Sequence, residues 1–513
     1  MSSSSDESDD SSSSSGGEEI SAEQWDHYGK INFEKLKCLR EKLNWENEEE
    51  RREFYRQLED LIKNWKGRRP NLRDIFQPEE IDWLLTEDVK EFVKKGGGIR
   101  ETPIIRFVKK SGYKDEPNVD ENGKPLLRRA TALHYVGGCG FYFSPAVTGL
   151  FKIYNRFDAN YTDESGLTHL HISACEFEWD YIVRKFLDFE HDLDCRVQRT
   201  GDLPLHVALD INNNEVALML LRRGADPNLP NEKGFTSLHL IYKWEYYYTD
   251  EYREFLKMFF KIIEDQNRSL QLEARDKLGR SPLQWAVASF MPDAVDTFLD
   301  LGADLSSFVF PTESHLDERF DWWFDDYWDG FKLRLASGAL AVLDCLKRRG
   351  YELERSDVLT IMKFFLKYKV FRKVKDNGKE FASEDSQDDE HWYNSESFAK
   401  KAKKIMINPS LSLYELVRLR PGESEKRLTY LDCFVFVNSN EFRLLPELER
   451  KNDSCAAHLN EVMARGFCRR WALEPFVYLT SNRLPILCCE IILENLKNED
   501  LCRVCLATVE RSS

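Results

Sequence analysis

Thr200-Gly201-Asp202-Leu203-Pro204-Leu205-His206 and Leu221-Arg222-Arg223-Gly224-Ala225-Asp226-Pro227-Asn228 bracket the stretch whose reading decides the fold. Its opening block has counterparts in Thr131-Ala132-Leu133-His134, Thr168-His169-Leu170-His171, Thr236-Ser237-Leu238-His239 and Ser281-Pro282-Leu283-Gln284. The first residues of the five blocks are 37, 35, 33 and 45 positions apart along the chain. A glycine stands two positions before four of them, at Gly166, Gly201, Gly234 and Gly279, and the closing block is echoed by Leu299-Asp300-Leu301-Gly302-Ala303-Asp304-Leu305. A fixed period of this size marks a chain built from stacked supersecondary units.

Each position has a physical reading. The Thr or Ser caps a first helix. The His hydrogen-bonds neighbouring backbone across the repeat boundary, and the Leu between them packs into the stack. Gly224 and Gly302 supply the left-handed backbone that ends a second helix. His134, His171, His206 and His239 are therefore expected to be structural, and no metal site is read from them. The pattern resembles the ankyrin repeat, with T-P-L-H opening the first helix and G-A-D-x-N following the second. The resemblance implies an all-α fold, an ankyrin-repeat α-solenoid, in which at least about three units must stack for stability.

Working outward, residues 1–24 are almost wholly Ser, Gly and acid, and are expected to form a disordered tail. Apolar residues at helical spacing between Trp45 and Trp65 and between Ile81 and Val93 predict a helical N-terminal cap over 25–119. The repeats are assigned to 120–315. Residues 316–371 follow as an aromatic and acidic insertion with a degenerate terminal helical repeat, and 372–408 as an acidic linker with the basic run Lys400-Lys401-Ala402-Lys403-Lys404. Aromatics interleaved with acids around Trp244 and Tyr247, and around Trp322, Trp323 and Trp328, suit contact with a protein client. The same rings would also suit packing onto their own solenoid.

The C-terminal segment reads differently. Leu484-Pro485, Ile492, Leu496 and Asp500-Leu501 fall in register with the F-box pattern L-P-x-E-I-L-x-x-I-x-x-x-L-x-x-x-D-L, with Leu487 where Glu is usual and Cys488-Cys489 where aliphatic residues stand. Ankyrin repeats followed by such an element, with Arg469-Arg470-Trp471 and Pro475-Phe476 upstream, resemble the PRANC proteins of poxviruses, parasitoid wasps and their symbionts. The resemblance covers about 409–508, a small helical F-box-like domain. It implies that Leu484, Pro485, Ile492, Leu496, Asp500 and Leu501 dock the small adaptor subunit of an SCF-type cullin ubiquitin ligase. A terminal capping helix packed inward would need the same apolar spacing, and periodicity does not separate the two.

The formal charge of -17 is unevenly placed: residues 1–25 and 380–390 hold thirteen of those charges, leaving a nearly neutral body with no footprint for nucleic acid. No run reaches the ~18 apolar residues of a membrane span, and no apolar leader follows Met1. The twelve cysteines are therefore expected to be reduced thiols in the cytoplasm or nucleus. Cys502-Arg503-Val504-Cys505 is a lone CxxC, short of a zinc set. With no GxxxxGK, GxSxG or HExxH motif, neither catalysis nor a cofactor is expected. The alternative to a ligase adaptor is an ankyrin scaffold or decoy, similar to the inhibitors of Rel-type transcription factors, with an inert C-terminal cap.

Overall fold

A computed structural model of the chain describes residues 22–96, 101–138, 145–175, 180–241, 250–320, 329–371, 396–419, 423, 426–443 and 449–510. The contacts divide it into two compact units, 1–199 and 200–513. The fold is all-α, with a single two-stranded hairpin among the described residues.

In the first unit, α1 (Ala22–Glu41), α2 (Glu48–Lys63), α3 (Pro78–Lys94) and α4 (Pro103–Lys110) precede two repeat pairs. These pairs are α5 (Ala132–Gly138) with α6 (Pro145–Ile153) and α7 (His169–Ser173) with α8 (Asp180–Leu187). The expected cap proves to be organised like a repeat, because α3 packs on α5 and α4 on α6, just as α5 packs on α7. A buried ionic network fixes it there. Arg129 pairs with Asp82 of α3 and lies 3.0 Å from Asp115, Tyr154 donates to Asp82 at 2.9 Å, and Tyr161 donates to Asp115 at 2.6 Å. Asp88 in α3 accepts from the Ile105 backbone N–H at 3.0 Å, satisfying one of the free donors at the start of α4.

The second unit opens with three repeat pairs: α9 (Pro204–Asp210) with α10 (Asn214–Arg222), α11 (Ser237–Leu240) with α12 (Asp250–Asp265), and α13 (Pro282–Ala288) with α14 (Pro292–Asp300). The series then runs one pair further than the sequence blocks suggested, into α15 (Glu313–Phe320) and α16 (Asp329–Arg348). Helix α13 packs on α15 and α14 on α16. Thr312 and His315 open this pair at the T-x-x-H spacing of Thr236 and His239: the Thr312 hydroxyl accepts from the His315 N–H at 3.3 Å, and the imidazole is buried, without the Nδ1 and Nε2 bonds among the described residues that His239 makes. The T-x-x-H spacing was present in the sequence, with Glu and Ser in place of Pro and Leu between the two.

The repeat block works through one side chain. At Thr236 the backbone N–H donates to His239 Nδ1 at 3.1 Å, which leaves Nε2 as the protonated nitrogen facing the Arg280 carbonyl at 3.3 Å on the next unit. In the first unit His134 does the same between the Thr131 N–H (3.0 Å) and the Tyr161 carbonyl (3.1 Å). At the fifth block Gln284 substitutes, accepting from the Ser281 N–H at 2.8 Å and donating to the Val309 carbonyl at 2.8 Å. Gly224 and Gly302 have φ of 106° and 95°, the left-handed backbone expected at those helix ends.

Beyond the repeats come α17 (Arg355–Lys367), α18 (Glu396–Ala402), the hairpin β1 (Met406–Asn408) and β2 (Leu411–Ser412), and α19 (Leu413–Leu416). Then follow α20 (Tyr430–Val437), α21 (Asn440–Arg443), α22 (Glu449–Leu479), α23 (Ile486–Asn495) and α24 (Asn498–Glu510). Helix α16 is the hinge of this unit's packing: its outer side meets α14, and α20 and α22 cover the rest. That is why Leu333, Leu335, Leu340, Val342 and Leu346 are all buried.

Two predictions follow from the repeat geometry. A Cβ at Gly234 (φ +80°) would stand 2.8 Å from the Asp276 Cα, whereas one at Gly279 (φ +78°) meets nothing within 4 Å. Gly279→Ala should cost about 1 kcal/mol from backbone strain alone, and Gly234→Ala upwards of ~2 kcal/mol, read as urea midpoints. The second concerns pH. Burial pushes His239 down to about 4 and His315 down to about 3. A folded-state pKa below the unfolded ~6.5 means their contribution is whole above that pH and is lost as the pH falls toward 4. Asp88, pushed up to about 6 by burial in the first unit, works in the opposite direction, its cost being relieved below that pH. His239→Gln, which copies Gln284, should leave the midpoint at pH 7.5 nearly unchanged. Its stability should then fall less steeply between pH 6.5 and 4.5, by up to roughly 1 kcal/mol per pH unit.

Candidate docking surface

The C-terminal helices are assembled on α22. Ala456, Ala464 and Ala472 lie buried along its length, and small side chains there let neighbours come close. Helices α16, α23 and α24 all pack against it. Cys468 of α22 and Cys502 of α24 meet with their sulfurs 3.8 Å apart in the core. The hydrogen bond to Cys502 and burial hold the Cys468 thiol well above its ordinary range, so it acts as a neutral packing group.

Helices α23 and α24 differ in how much of themselves they hide. Helix α24 buries Leu501, Cys502 and Cys505, and its first residue, Asn498, is tied to Glu461 through a side-chain bond to the carbonyl at 3.0 Å. Helix α23 buries only Cys489 and Leu493, a stripe one residue wide. The rest of its attachment is polar. Arg465 donates to the carbonyls of Leu493 (3.2 Å), Glu494 (2.7 Å) and Leu496, capping a helix end that would otherwise present free acceptors. Arg469 pairs with Glu494 at 3.1 Å.

The other large apolar residues from 484 to 492 face outward. Ile486, Leu487 and Ile491 are 61%, 71% and 60% exposed, with Leu484 and Ile492 at 36% and 38%. Leu487 and Ile491 are one helical turn apart, on the side opposite Cys489 and Leu493. One flank of α23 borders a cleft of about 630 Å³ between it and the start of α20, floored by Val462, Met463 and Gly466 of α22. Glu490 and Glu494 of α23 stand on that flank. A contiguous oily ridge on a folded surface marks a place where something binds.

Of the residues selected from the sequence, Leu484, Pro485, Ile492 and Asp500 are exposed and Leu496 is half-buried. Leu501 is corrected: it is wholly buried and cannot line an accessible face. The motif spans two helices: the backbone turns extended at Leu496 (ψ 150°), so Asp500 and Leu501 begin a second helix with its own orientation. The motif reading also passed over Ile486, Leu487 and Ile491, the most exposed of the set. The signal was a helix apolar on all sides, which leaves an oily face outward unless neighbours surround it. Trp244, Tyr247, Trp322, Trp323 and Trp328 lie outside the described residues.

The sequence matches the family model for ankyrin repeats over residues 133–231, in three copies. It is similar to BCL-6 corepressor-like protein 1 of Homo sapiens, 36% identical over 83 residues, which is 16% of this chain and 4% of that protein. It is also similar to neurogenic locus notch homolog protein 1 of Homo sapiens, 25% identical over 162 residues, 28% of this chain and 6% of that one. The chain thus spans less than a tenth of the length of either relative. It carries ankyrin repeats, an architecture that binds proteins rather than catalysing reactions. No described helix is long and apolar enough to cross a membrane.

The attachment of α23 yields a prediction. Arg465→Met removes the cap on three carbonyls, so amide exchange over 489–496 should accelerate about tenfold or more while α22 and the repeats keep their protection. Equal acceleration throughout α22 would mean Arg465 supports the whole layer instead.

Proposed function

We propose that this chain is a substrate-recruiting adaptor of an SCF-type cullin ubiquitin ligase. Its ankyrin repeats hold a protein client, and α23 docks the small ligase-adaptor subunit. The observation that carries the reading is the outward ridge of Leu484, Ile486, Leu487, Ile491 and Ile492, in the one segment of the chain that resembles the F-box-like element of PRANC proteins. A helix serving only as a cap would turn those side chains inward, since leaving five of them in water forgoes on the order of 1 kcal/mol or more apiece. The interface is written on α23 and its preceding Leu484-Pro485, without Leu501.

No catalytic group is needed for this role. An adaptor acts by tethering, raising the local concentration of the client at the ligase far above its bulk value. The aromatic and acidic stretches that include Trp244, Tyr247, Trp322, Trp323 and Trp328 are the proposed client contacts, and the cytoplasm or nucleus the proposed site of action.

The test is recovery of the ligase core from gentle lysates at low bait concentration. Wild-type chain should bring down the adaptor subunit and cullin, and the combined Leu484→Ala, Pro485→Ala and Ile492→Ala variant should lose at least about tenfold of both while its repeats unfold at the wild-type midpoint. A wild-type chain that recovers neither would leave the repeats acting as a plain scaffold or decoy.

A further inference from the structure

The apolar residues around α23 are distributed almost symmetrically about Cys489, at 484, 486 and 487 on one side and 491 and 492 on the other. A two-fold axis perpendicular to the helix at that point would place a second, antiparallel α23 so that Leu487 of each copy meets Ile491 of the other, with Ile486 and Ile492 on the two flanks of that contact. Such an interface is isologous, the same patch serving on both sides, and so it closes at two copies.

The charges agree with that arrangement and with no parallel one. Arg483 precedes the helix, is exposed, and has no ion-pair partner among the described residues. Glu494 stands near the other end, 58% exposed even with Arg469 beside it. Antiparallel pairing brings Arg483 of each copy to Glu494 of the other, twice per dimer, whereas parallel pairing would set each group beside its own kind. The helix dipoles also oppose in the antiparallel arrangement, which favours it further.

We infer that the α23 ridge is a weak self-association surface, and that two copies of this chain pair through it in antiparallel fashion. The magnitude follows from size. One helix pair covers less than the ~1,200 Å² of total area that specific, stable complexes bury, so the dissociation constant belongs in the ~10–100 µM range. Self-pairing therefore conceals the ridge when the chain is concentrated and yields to any partner that covers it better. This goes beyond the ligase reading and does not depend on it: the one concerns the second copy, the other a different protein at the same residues.

The experiment is sedimentation equilibrium on the full chain between about 1 and 200 µM, with two single variants and their mixture. Wild type should shift from 60.3 kDa toward twice that mass. Arg483→Glu and Glu494→Arg, each alone, place like charges together twice, and each should weaken pairing about tenfold. Mixed in equal amounts they restore both opposite-charge contacts, so the mixture should associate as tightly as wild type. A wild type that stays at 60.3 kDa to the highest concentration overturns the proposal, as does a dimer indifferent to both substitutions or one that mixing fails to restore. None of these outcomes alters ligase recovery at low bait concentration, so the two readings fail separately.

Discussion

A helix pair whose first member is four to eight residues long has more apolar surface than it can cover by itself. The consequence runs through every described repeat. Within each unit the pairs are held by their neighbours, as α5 packs on α7 and α9 on α11 among the inner helices and α10 on α12 and α14 on α16 among the outer ones, and the stack must be aligned before burial can begin. Alignment falls to a polar group. His239 spends one nitrogen on the N–H of its own helix cap and the other on a carbonyl of the next unit, so helix initiation and stacking are one hydrogen-bonded event. Gln284 meets the same two demands with an amide, which identifies the requirement as one acceptor and one donor at fixed separation rather than an imidazole as such.

A stack built this way has to end, and the two units show two solutions. In the first, α3 and α4 take the positions of a repeat without its motif, and the loss of the Thr–His link is offset by Asp82 and Arg129 with two tyrosines around them. In the second, α16 is extended well beyond an ordinary outer helix and buried on every side from 331 to 343. It ends the repeat series by becoming the centre of a different helical layer, so the repeats and the C-terminal helices of that unit share one core rather than meeting across a linker.

Within that layer the distribution of small and polar groups decides what is left outside. Alanines and cysteines on α22 draw α24 in until its apolar face is gone. Helix α23 is attached by two side chains and an arginine cap, which holds its direction without covering its surface. A rigidly held helix with an open apolar ridge is preorganised for a partner, since little further ordering is needed when that ridge is covered.

The repeats were legible in the sequence because their chemistry is local. A cap, a leucine and a histidine at fixed spacing form within one turn of helix, and Gly224 and Gly302 set their own backbone angles, so a linear pattern contained them. Thr312 and His315 kept the same spacing with two intervening residues changed. What the linear pattern could not contain is direction. Leu487 and Leu501 are equally apolar and both lie in helices, yet one points to water and the other into the core. The difference arises at Leu496, where the backbone leaves the helix, and at α22, whose small side chains admit one neighbour closely and hold the other by its end. Which face of a helix is spare depends on what else has packed, and only the assembled tertiary structure settles that.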